Sequence, residues 1–260
     1  WGMAMANISN EKRAKGFIEK AVKLTNDLSR RECLYVHSLS KFYDKKGDDR
    51  HRQYIRDLEK IIEEFPNDLE AKASLLFKIW ENNGRQKISS FMAADALGHQ
   101  VLAVKPLHPA HHALIHLWNN EADKRALPSA ARCGQGSPGI AHMWHMPGHT
   151  YSQLHRYADA AWQQEASARV DHAYMIRNRV LPDQIHNYAH NNEWLVKNLG
   201  YLGRVREAID LAKNLVELPR HPKFNTLNLA CPSDATNAYP VSTSTSSAST
   251  NNEVNVRANR

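Results

Sequence analysis

Three pairs of histidines stand four residues apart, His112/His116, His145/His149 and His186/His190, and His142 lies three residues before His145. On an α-helix that spacing puts both rings of a pair on one face. Imidazoles converging from neighbouring helices are the usual raw material of a transition-metal site, and equally of a polar ligand groove. Read as a metal site, the ligands are His112, His116, His145, His149, His186 and His190, with Glu193 as an acidic donor and Asp171 or Asp183 as alternatives that bind or orient an imidazole. Zn, Cu or Fe fits, because first-row ions take nitrogen donors from more than one segment. Read as a groove, the same surface offers His142, His145, His149 and Gln153 as polar contacts, with Trp118 and Asn191 beside them. Met143 and Met146 could supply soft thioether ligands to copper, but filling gaps in a core is the commoner use of methionine.

Known catalytic signatures are missing. The residues after His112, His145 and His186 are Ala113, Met146 and Asn187, so the glutamate of a His-Glu-x-x-His protease is absent. No phosphate-binding loop, dinucleotide fingerprint or nucleophile elbow occurs. The Gly134–Gly139 stretch follows one helical segment and precedes another without a strand, which makes it a turn. The reading is therefore a binding protein before an enzyme.

The elements that must position these side chains are helical. From residue 1 to about 222, apolar residues recur every three to four positions, and no sustained period-two alternation suggests a strand. Short breaks at 44–48, 65–68, 82–84, 105–106, 137–139, Gly203 and 218–219 pair a helix stop with a Pro, Gly or Asx restart. A ladder of small residues recurs across them. Ala94, Gly98 and Val101 precede Pro106; Ala126, Ala130 and Cys133 precede Pro138; Tyr54, Leu58 and Ile61 repeat it with larger residues before Pro66. Ala160 and Ala208 begin degraded copies, and Ala14 begins another with Ile18 and Ala21. Ala126 and Ala160 are 34 residues apart.

This ladder resembles the tetratricopeptide repeat, a helix-turn-helix unit in which small residues on the second helix allow close packing. The best copy spans Ala141 to about Val170, with Trp144, Gly148, Tyr151, Tyr157, Ala160 and Ser167 in place and Pro147 where Leu is usual. In that frame Trp144 and Tyr151 are packing residues. More narrowly, the 108–116 segment, Arg125–Ala130, His142–Tyr151 and Arg156–Ala160 resemble a bacterial subgroup of these proteins with a His-x-x-His-Met-Pro-x-His-x-Tyr block. The resemblance implies a helical repeat domain and transfers no catalytic residue. It puts His142, His145 and His149 on the first, groove-facing helix of a unit. In the preceding unit either His111 or the His112/His116 pair faces the groove, and Pro147 is expected to kink its helix.

The expected fold is all-α, a right-handed helical-repeat solenoid of about six helix pairs over 1–222. A low-complexity tail over 223–260, rich in Ser and Thr, is expected to be disordered. With 42% hydrophobic and 23% charged residues, the composition is that of an ordinary globular chain. No apolar run reaches the roughly 18 residues of a membrane helix. Nothing resembles a signal peptide, and Trp1 reads as the start of a fragment. The formal charge of +7 is dispersed among acids, as in Arg56-Asp57-Leu58-Glu59-Lys60, so nucleic acid is not the expected partner. Cys33, Cys133 and Cys231 form no disulfide framework. The expected partner is a peptide or protein segment, or a small ligand, in the concave groove; the alternative is a metal-binding protein or metalloenzyme.

Overall fold

The computed structural model describes residues 11–119, 121–185 and 187–219, so the expected tail lies outside the described residues. Among the described residues twelve α-helices follow one another: α1 (Glu11–Val22), α2 (Arg30–Asp44), α3 (Asp48–Glu64), α4 (Leu69–Glu81), α5 (Phe91–Val104), α6 (Ala110–Trp118), α7 (Asp123–Ala130), α8 (Cys133–Gly136), α9 (Ala141–Gln153), α10 (Tyr157–Asn178), α11 (Tyr188–Tyr201) and α12 (Val205–Glu217). Among the described residues there is no strand.

Local chemistry sets the helix ends. Ser29 and Glu32 form a capping box at the start of α2; the side chains of Asp68 and Ser90 accept from the Ala71 and Ala93 amides at α4 and α5. The turns before α3 and α12 use Gly47 and Gly203 at φ 64° and 73°, a conformation in which a Cβ is costly.

Consecutive helices pack as pairs, α2/α3, α4/α5, α6/α7, α9/α10 and α11/α12, with α1 ahead of the first and the four-residue α8 inserted after α7. The described residues thus hold five pairs and a leading helix. The ladder falls on the second helix of each pair and is buried: small residues at Ala94 and Val101 on α5, Ala126 and Ala130 on α7, Ala160 and Ser167 on α10 and Ala208 on α12, and the larger Tyr54, Leu58 and Ile61 on α3. Second helices can therefore approach first helices closely. Gly98 shows the tolerance: a Cβ there would lie 2.7 Å from Cδ2 of Leu114, itself buried on α6. Gly98→Ala should cost about 1–3 kcal/mol through overpacking, read as a lower urea midpoint with an unchanged slope.

Cys133 sits in the central core, and burial pushes its thiol up to about 12, which leaves it unreactive. Met143 and Met146 belong to the same core, so they fill space there. α9 continues through Pro147 to Gln153.

Candidate metal centre

The first helices of successive pairs, α4, α6, α9 and α11, carry the ring-bearing side chains and bring them side by side. Residues four apart on α6 and on α9 meet, as the spacing requires. The Nε2 atoms of His112 and His116 are 3.0 Å apart, and those of His145 and His149 are 2.7 Å apart. Each pair then gains a third imidazole from the first helix of the next helix pair. His142 of α9 lies against the α6 pair, with its ring centroid 4.9 Å from that of His112. His190 of α11 lies against the α9 pair, 4.7 Å from His145.

The result is two groups of three, His112/His116/His142 and His145/His149/His190, in each of which ligand nitrogens lie within 4.8 Å of one another. Two nitrogens each about 2.05 Å from one ion stand about 2.9 Å apart at a right angle and about 3.3 Å apart at the tetrahedral angle. The Nε2 separations of 3.0 and 2.7 Å within the two pairs are close to those spacings. The groups adjoin along α9, where the rings of His142 and His145 are roughly parallel with centroids 5.9 Å apart.

Aromatic rings close both ends of this strip. Trp80 of α4 stacks on His116 at 3.9 Å, and Phe77 lies parallel to His112 at 6.1 Å. At the other end Trp194 meets His149 edge-on at 4.3 Å. These walls take water away from the imidazoles. Burial pushes the pKa of His112 and of His149 down to about 3, and those of His116 and His145 well below the ordinary value. All four are neutral at pH 7, with a lone pair to offer.

One ring is fixed further. His145 is almost completely buried, and Gln164 of α10 bonds it twice: its Nε2 donates to the His145 carbonyl at 3.3 Å, which leaves Oε1 to accept from Nδ1–H at 2.6 Å. The tautomer follows, because a proton on Nδ1 leaves Nε2 bare toward His149 and His190. Gln164 stands where the ladder calls for a small or apolar residue, between Ala160 and Ser167. That polar intrusion into a packing position was the available sequence signal for it.

Other expected residues are placed differently. His111 turns away from the strip, with Nε2 on the Pro106 carbonyl and Nδ1 beside Ser129 Oγ; the pair His112/His116 is the one that faces inward. Trp118 is in the core and donates to Asp95 Oδ1 at 2.7 Å. Asn191 is buried and donates to Asp171 Oδ2. Gln153 closes α9 one turn beyond His149. Glu193 lies outside both groups, its Oε2 3.8 Å from His190 Nδ1, with a side chain 78% exposed. His186 lies outside the described residues.

Burial raises the Asp171 carboxyl from 3.8 to about 6, opposed by the hydrogen bond from Asn191. A carboxyl raised on folding contributes stability that is complete below about pH 3.8 and is lost as pH rises through about 6. Asn191 Oδ1 is buried without a partner, and an amide at 171 would present a donor near it. Asp171→Asn should therefore stabilise the protein by about 2–3 kcal/mol at pH 8 and by little at pH 4, as read from urea midpoints at the two pH values.

No family model and no curated protein matches the chain. Solved structures do, and one is the crystal structure of MamA protein. It aligns over 73% of this chain and 98% of its own length, with a TM-score of 0.53 and 14% identity. The fold is that of a tetratricopeptide-like helical repeat. At that identity the likeness carries the fold alone.

Proposed function

We propose that this repeat chain binds first-row transition-metal ions, Zn²⁺ foremost, at two all-histidine sites on its inner face. The observation that carries the reading is the gathering of six imidazoles from three helices into two groups of three. Imidazole nitrogen donors and a low-dielectric wall suit Zn²⁺, Cu²⁺ or Fe²⁺ and disfavour the hard ions that take oxygen. Gln164 adds support, since metal-binding histidines almost always spend their second nitrogen on such a partner.

Elemental analysis of untagged protein, dialysed against Zn²⁺ and then against buffer, should give two ions per chain. His145→Ala with His149→Ala should leave one, and so should His112→Ala with His116→Ala. A folded, metal-free chain after this treatment overturns the proposal. It would favour a second reading, a scaffold holding a peptide segment or small ligand in the same groove. That reading rests on the repeat fold and on Trp80 and Trp194, which bracket the strip with apolar surface.

A further inference from the structure

We infer that the ion held by His145, His149 and His190 keeps one coordination position open and takes there an exogenous anion of the carboxylate class. The inference rests on the metal reading above and deepens it. Zn²⁺ and Co²⁺ prefer four or more donors, and a site with three protein ligands leaves the last position to water or to a ligand from solution. Among the described residues, no carboxylate or thiolate joins this group, and an imidazole that binds through its lone pair adds no negative charge, so no anionic donor would touch the divalent ion. A partly desolvated dication attracts an anion strongly.

Two features direct that anion to this site. The His190 side chain is 47% exposed, so the group opens to solvent on one flank. The Lys197 ammonium lies 4.5 Å from the Trp194 ring centroid, and Trp194 touches His149, so a positive charge stands at the same opening. Glu193 is the competing charge there: it reaches His190 Nδ1, the far side of a ring whose Nε2 would face the ion, and points largely into water.

The test uses the intact protein loaded with Co²⁺, whose visible d–d bands report coordination. His112→Ala with His116→Ala confines the metal to the group in question. Acetate or azide should shift the bands saturably, and Lys197→Ala should weaken both anions roughly fivefold without changing the cobalt content. A short glutamate-bearing peptide that competes much better than acetate assigns the donor to a bound segment; equal competition assigns it to a free anion. Bound Co²⁺ with a spectrum indifferent to every anion overturns the inference and leaves the metal reading standing. Failure of the folded variant to bind Co²⁺ overturns the inference and the metal reading of this group together.

Discussion

Zinc should raise the melting temperature of this protein, and the rise should divide between two separable sites. A ligand that binds only the folded chain stabilises it by about 2.7 kcal/mol when present at a hundred times its dissociation constant. For a chain of this size that corresponds to roughly 5–10 °C for each filled site. Unfolding disperses ligands that come from α6, α9 and α11, so the unfolded chain has no comparable site. Removal of metal with a chelator should return the melting temperature to its starting value. His145→Ala with His149→Ala should halve the response and leave the remainder to the His112 group. The variants themselves tell ligand from core: the metal reading expects them to lose the zinc response with modest change in the metal-free melting temperature. A zinc-independent melting temperature in the unmodified protein would remove the basis for both sites.

The second large effect is expected from one added methyl. A Cβ on Gly148 would stand 2.2 Å from Gln164 Nε2 and 2.8 Å from its Cδ. Gln164 is fully buried and cannot swing into solvent. Gly148→Ala must therefore drive the amide off both of its bonds to His145, or push α9 from α10. Overpacking and the loss of a buried hydrogen-bonded amide together should cost about 2–4 kcal/mol. The consequence for metal is selective. With His145 free to change tautomer and turn, the affinity of its group should fall about 10–100-fold, the range seen when partners of metal-bound histidines are removed. Both hydrogen bonds of Gln164 go to His145, so the His112/His116/His142 group should keep its ion. Competition with a metal-sensitive dye, one equivalent at a time, separates the two. Equal weakening of both sites would mean that Gly148 acts on the fold at large.

Much of the architecture was legible beforehand. The ladder through Ala94, Ala126 and Ala160 identified the second helices, because small side chains at those positions let the neighbouring helix come close, although α3 fills the same positions with Tyr54, Leu58 and Ile61. The pairs His112/His116 and His145/His149 were legible for a similarly local reason: one helical turn dictates their proximity. The ambiguity between His111 and the His112/His116 pair was not resolvable that way, since a shift of one residue on a short helix after a short loop turns the inward face by about 100°. Packing of α6 against α5 and α7 settled it, with His111 drawn to Ser129 and the Pro106 carbonyl.

Sequence by itself determined that the chain is built of stacked helix pairs, that the imidazoles ride on their first helices, and that two of the pairs close locally. Only the tertiary structure decided how the six rings are shared. It sends His142 of α9 to the pair on α6 and His190 of α11 to the pair on α9, and it seats Gln164 on His145 through the gap that Gly148 leaves. The reason is physical: spacing along one helix fixes neighbours within it, whereas the reach between helices depends on their separation and rotation, which the small residues between them set.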